Sequence, residues 1–108
     1  MIHIICALHC EAKPFIEYYR LKRRDAGDLY PIFIDRQQCL TLTVSGTGKV
    51  NAAAATMYTR GQCDVNKSHA WLNVGIAAHE RIQLGQAALA RCICDISNGK
   101  NWYPQFVF

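Results

Sequence analysis

No apolar run in this sequence approaches the ~20 residues that a membrane-spanning helix requires, so no transmembrane segment is expected. Met1-Ile2-His3-Ile4-Ile5 lacks the basic start and small-residue cleavage site of a secretory signal. Without such a leader, the six cysteines (Cys6, Cys10, Cys39, Cys63, Cys92 and Cys94) are expected to be free thiols of a reducing, cytoplasmic compartment rather than a disulfide scaffold. Acidic residues are few, 8 against 12 Lys+Arg, for a formal charge of +4. Charged residues make up only 19% of the chain and hydrophobic ones 51%, which excludes intrinsic disorder. Two phosphate-loop spacings are missing. G-x-x-x-x-G-K-[ST] does not occur, and G-x-G-x-x-G fails because Asn51 stands where the third glycine belongs.

The 108 residues that are present suit one domain, spanning 1–108. Ile2 to Leu8 is a continuous apolar run of strand length. Glu11 to Tyr19 follows, with Ala12, Phe15, Ile16 and Tyr19 at helical spacing. Pro14 is best tolerated in a first turn, which sets the helix start near Cys10 to Lys13. Asp25 to Asp28 reads as a turn, Leu29 to Ile34 as a strand that, given Pro31, lies at an edge or begins near that residue, and Cys39 to Val44 as a strand with β-branched alternation. Lys49 to Thr59 is expected to be helical around Ala52 to Ala55, with Gly61 as the C-cap. Ala70 to Val74 and Ala87 to Ile96 are read as further strands, and Ser97 to Phe108 as a turn with an aromatic tail. Strands alternating with helices define an α/β layered class.

Three segments could carry chemistry. Glu11 follows the first strand, where ligands of open α/β sheets gather. A carboxylate there can act as a general base, or merely complement a helix dipole. Ser45-Gly46-Thr47-Gly48 lies between a strand and a helix, a geometry that turns backbone N–H groups towards an anion. It is also an ordinary tight connection. Asn73-Val74-Gly75-Ile76-Ala77-Ala78 offers small residues over which a flat ring or sugar could lie. The basic group Arg20, Lys22, Arg23 and Arg24 suits either a phosphate patch or a solvated helix end, and the helix end is favoured. No metal site is expected: His3 and Cys6 would point to opposite faces of one strand, and Cys92-x-Cys94 has no second half-site.

Taken in order, these segments resemble the nucleoside phosphorylase/uridine phosphorylase superfamily, most closely its 5′-methylthioadenosine/S-adenosylhomocysteine nucleosidase branch. Ile4 to Ala12 looks like the family's first strand and Glu-bearing loop. Val44 to Ala54 looks like its S-G-[IT]-G-K-x-x-A-A segment, Leu72 to Ala78 like N-x-G-x-A-G, and Ile82 to Gln86 like the following turn. Ile76, Ala78, His79 and Gln86 depart from the family pattern. The resemblance implies a three-layer α/β/α sandwich with a central mixed sheet, of which this chain is the N-terminal half and so incomplete. It implies cleavage of the N-glycosidic bond of a purine nucleoside by water or phosphate, phosphate being a co-substrate rather than a resident cofactor. Glu11 would be the catalytic, water-activating residue, and Ser45, Gly46, Thr47, Gly48, Gly75, Ala77 and Ala78 would bind substrate. The family's ribose-gripping Glu and purine-protonating Asp belong to the other half, so activity is expected to be weak or absent. The alternative is a non-catalytic domain that binds a nucleoside or a partner chain. No nucleic-acid or membrane partner is expected. Phe106, Val107 and Phe108 would add apolar surface beside an uncovered sheet edge, so self-association as a dimer is expected. A strictly monomeric species by light scattering at high concentration would contradict it.

Overall fold

The computed structural model describes residues 1–104. Phe106, Val107 and Phe108, invoked above for self-association, lie outside the described residues. The elements run β1 (Ile2–Cys6), α1 (His9–Tyr18), β2 (Lys22–Arg23), β3 (Ile32–Ile34), β4 (Leu40–Val44), α2 (Lys49–Gly61), β5 (Ala70–Asn73), β6 (Ile93–Asp95) and β7 (Lys100–Trp102). They fall into two compact units, Met1–Ala77 and a second that begins at Ala78.

The first unit is a mixed five-stranded sheet in the order β2-β3-β4-β1-β5. β1 pairs in parallel on both sides, Ile4 opposite Leu42 of β4 and opposite Leu72 of β5. β3 runs antiparallel to β4, and β2 antiparallel to β3. The connection from β4 through α2 to β5 therefore passes over β1, as parallel strands require. Alternation along β1 and β4 sorts the two faces. Ile4, Cys6 and Leu42 join Ala12 of α1 and Leu21 in a buried apolar cluster, with Phe15, Ile16 and Val44 packed on it. The opposite face carries the buried His3, Thr41 and Thr43, and Thr43 Oγ1 lies 3.0 Å from Thr59 Oγ1 of α2. No buried side-chain polar atom among the described residues lacks a partner.

α1 begins at His9, earlier than Pro14 suggested, so the proline sits in the second turn. Cys10 and Pro14 are both exposed, on the side where a missing backbone bond costs least. The helix ends at Tyr18, one residue before the expected Tyr19. Arg20 there takes a left-handed conformation (φ 52°), while Arg20 N–H donates to Glu17 O and Leu21 N–H to Ile16 O. This is a Schellman ending with arginine in the position glycine usually holds, and the buried Leu21 packs with Ile16 as the motif requires. The basic group is thus not one helix end. Only Arg20 belongs to it. Lys22 and Arg23 form β2, a charged two-residue edge strand that discourages further pairing.

The expected strand Leu29 to Ile34 shortens to β3, and the helix Lys49 to Thr59 runs on to Gly61, with Gln62 rather than Gly61 as C-cap. The largest correction concerns Ala87 to Ile96. Only Ile93–Asp95 is extended, and it pairs with β7 in a separate two-stranded sheet. Local turn chemistry prevails here. Asp95 Oδ1 accepts from Ser97 N–H at 3.0 Å, Asp95 O accepts from Gly99 N–H at 2.7 Å, and Gly99 has φ 70°. Ala87 to Arg91 carries no β-branched residue to hold a longer strand.

Leu42 is fully buried at the centre of the first unit. Leu42→Ala is expected to lower unfolding free energy by about 3 kcal/mol, the usual cost of a core leucine truncation. Urea denaturation followed by circular dichroism checks this, and a loss under ~1 kcal/mol would place the core elsewhere.

Candidate functional site

Two groupings of chemistry-bearing residues emerge, at opposite ends of β1. The first lies at the carboxyl ends of the parallel strands. Ser45 N–H donates to Cys6 O at 2.8 Å, Gly46 N–H to Ala7 O at 3.0 Å, and Val74 N–H to Ile5 O at 2.9 Å. The loops after β1, β4 and β5 therefore leave the sheet side by side, in the region where α/β sheets bind ligands.

Glu11 ties two of these loops together. Its Oε2 accepts from Leu8 N–H at 2.9 Å and its Oε1 from Ile76 N–H at 3.0 Å. The first bond is half of a capping box: the N-cap residue is leucine, which has no side-chain acceptor, so Glu11 reaches back to satisfy the helix start. The second holds the loop that follows β5. Backbone donation from Ile76, then from Leu8, keeps the Glu11 carboxyl below the ordinary glutamate range. Such a carboxylate is a good acceptor and a weak base. Gly75 is fitted closely to it, since a Cβ there would stand 3.2 Å from Glu11 Oε1.

The glycine turn is built as the sequence suggested in shape, with one change in role. Gly46 and Gly48 have φ of 82° and 90°, left-handed values that favour glycine. Gly48 is the N-cap of α2, and no side chain caps that helix start. Thr47 is exposed, and its carbonyl accepts from Asn51 Nδ2 at 2.8 Å. Ser45, however, is buried and turns its hydroxyl to backbone carbonyls, to Gly46 O at 2.8 Å and Cys6 O at 3.2 Å. It braces the turn and does not present a donor to a ligand. Gly75 and Ala77 are exposed on the third loop, and Ala78, also exposed, opens the second unit.

The second grouping was not legible in the sequence. His3 points away from Cys6, as strand alternation predicts, and meets residues from the end of α2 and the segment before β5. His3 Nε2 lies 2.8 Å from His69 Nδ1 and 3.7 Å from Cys63 Sγ. His3 Nδ1 lies 2.6 Å from Thr41 Oγ1, and His69 Nε2 is 2.8 Å from Asp64 O. Trp71 stacks on the His3 ring with centroids 4.2 Å apart. Burial, then the neighbouring His69, pushes the His3 pKa down to about 4, so the ring is neutral at pH 7. Cys6, on the other face, is no thiolate nucleophile: burial and the nearby Glu11 push its pKa up to about 11. The only signal for this cluster in the sequence was a histidine inside an apolar strand.

No family model, curated protein or solved structure matches this chain. No helix among the described residues is long and apolar enough to cross a membrane.

The Glu11 bridge has a pH signature. Because its folded-state pKa is depressed, its stabilisation is complete above about pH 4.3, the unfolded glutamate value, and is lost as pH falls through the lower folded value. Glu11→Gln is expected to lower the melting temperature by a few degrees at pH 7. The gap to the parent chain should close in strongly acidic buffer. Thermal melts across pH 2.5–7 check this, and a pH-independent gap would mean that the charge contributes nothing.

Proposed function

We propose that the carboxyl-end face of β4, β1 and β5 binds a purine nucleoside, and that the chain is of the nucleoside phosphorylase/nucleosidase lineage, with cleavage of the N-glycosidic bond by water or phosphate as its chemistry. The observation that carries this reading is the Glu11 carboxylate bridging Leu8 N–H and Ile76 N–H beside the Gly46 turn. It joins loops far apart in sequence, each of which the resemblance assigns to one nucleoside site. The left-handed glycines Gly46 and Gly48 offer close backbone approach to a ligand, and Gly75 and Ala77 are small and exposed on the neighbouring loop. One helix on each face of the mixed sheet supports the three-layer sandwich that the lineage implies.

A non-catalytic version of the reading, nucleoside binding without cleavage, draws on a specific feature. A general base works best with a pKa near the working pH, and Glu11 is held on the low side. Cleavage would require the ligand to displace Ile76 N–H and let the carboxyl rise. Association with a second copy also belongs to this proposal. β5 is an edge strand of the sheet with the exposed Leu72, and an open groove of about 470 Å³ runs beside it, lined by Ile5, Ala52, Met57 and Trp71.

Saturation-transfer NMR and calorimetry with a purine nucleoside panel test binding, and chromatographic detection of free purine tests cleavage. Binding is expected, and it should weaken at least ~10-fold in Gly46→Val, where φ 82° strains any residue with a Cβ. Purine release abolished by Glu11→Gln would support the catalytic version, and binding without release the non-catalytic one. Absence of binding at millimolar nucleoside would overturn the proposal.

A further inference from the structure

We propose that His3, Cys63 and His69 form a Zn²⁺ site at the amino end of β1. The three side chains come from the central strand, the residues just after α2 and the segment leading into β5. Their donor atoms all lie within 4.8 Å of one another, and this is the sole such grouping of potential ligands among the described residues. Two imidazole nitrogens and a thiolate are a donor set that Zn²⁺ favours and that oxygen-seeking Ca²⁺ and Mg²⁺ do not.

The spacing of Cys63 from His3 is close to what the ion needs. Bond lengths of about 2.05 Å to nitrogen and 2.3 Å to sulfur at tetrahedral angles place nitrogen and sulfur ligands ~3.6 Å apart, and two nitrogens ~3.3 Å apart. Cys63 Sγ stands 3.7 Å from His3 Nε2. The two imidazole nitrogens are 2.8 Å apart, a hydrogen-bond distance. For an ion to replace the shared proton, they must open by at least ~0.5 Å and the two rings must shift relative to one another until both nitrogen lone pairs converge on it.

Proton positions follow from the partners. Asp64 O can only accept, so His69 Nε2 carries its hydrogen and the Nδ1 lone pair faces His3. Without metal, His3 Nε2–H donates to that lone pair and Nδ1 accepts from the Thr41 hydroxyl. With Zn²⁺ bound, His3 loses the Nε2 proton and holds its hydrogen on Nδ1, donating to Thr41 Oγ1, while the Cys63 thiol, which without metal donates to Thr59 O at 3.2 Å, gives up that bond and releases its proton to solvent. Both histidines therefore already have the outer partner that ligating imidazoles use to fix ring orientation. Trp71 stacked on His3 limits ring rotation further. Three protein ligands leave a fourth position, which water would take. The site is independent of the proposed nucleoside face, because it lies at the other end of the strands.

The test uses the full chain stripped with a chelator, with Zn²⁺ and Co²⁺ as probes. Gel filtration followed by elemental analysis is expected to return one Zn²⁺ per chain. Co²⁺ should give the near-ultraviolet thiolate charge-transfer band and the strong visible bands of a tetrahedral site. Cys63→Ser should abolish the charge-transfer band, and His69→Gln should weaken Zn²⁺ binding at least ~100-fold. Thr41→Val should weaken it ~10-fold through the loosened His3 ring. The double variant Cys92→Ser/Cys94→Ser should leave all of this unchanged. A measurement on the unaltered chain guards against variants that misfold: Zn²⁺ should slow alkylation of Cys63, read by peptide mass mapping. No bound metal, a band that survives Cys63→Ser, or alkylation of Cys63 at one rate with and without Zn²⁺ would each overturn the proposal.

Discussion

Everything in the first unit hangs on the parallel pairing of Ile2–Cys6 with β4 on one side and β5 on the other. A central strand has no free edge, so every backbone donor and acceptor along it must find a ladder partner, and both of its faces must be covered. Those demands fix the rest. One face takes Ile4 and Cys6 into the apolar cluster under α1, and the other takes His3 and Ile5 towards α2. A slip of one residue in register would drive His3 into the apolar cluster and Ile4 among the polar groups, which both faces oppose.

The same strand separates two kinds of chemistry. At its carboxyl end the loops after β1 and β5 are held together by the Glu11 carboxylate, beside the glycine turn that follows β4. At its amino end the imidazole of His3 is buried and surrounded by partners. The contrast is electrostatic as well. Backbone N–H groups favour the charged form of Glu11, whereas burial favours the neutral form of His3. Neither group titrates near neutral pH, so each serves best as a fixed acceptor or ligand, and proton transfer by either requires the local structure to change first.

Legibility in the sequence followed the range of the forces involved. The strands Ile2–Cys6, Leu40–Val44 and Ala70–Asn73 and the helix after Gly48 could be read because apolar runs, alternation and alanine propensity are local signals. The glycine turn was legible because left-handed φ values narrow the choice of residue. β2 was not, since Lys22 and Arg23 carry no strand pattern and are extended only because β3 lies beside them. The separate pairing of β6 with β7 was equally hidden: the turn at Asp95 to Gly99 depends on side-chain acceptors that outweigh a weak strand propensity. Ser45 was expected to bind substrate, and its inward hydroxyl, turned to Cys6 O and Gly46 O, could not be inferred from its neighbours in sequence.

The sequence by itself determined the α/β class, the position of the glycine turn, and Glu11 at the start of the first helix, because each is written in residues within a turn or two of one another. Tertiary structure alone decided which loop Glu11 would hold, since Ile76 N–H is brought to it by β5 pairing with β1. It alone brought His3 to Cys63 and His69, residues 60 and 66 positions away in the chain. Contacts across such separations are made by strand register and crossover topology, and no local pattern of residues encodes them.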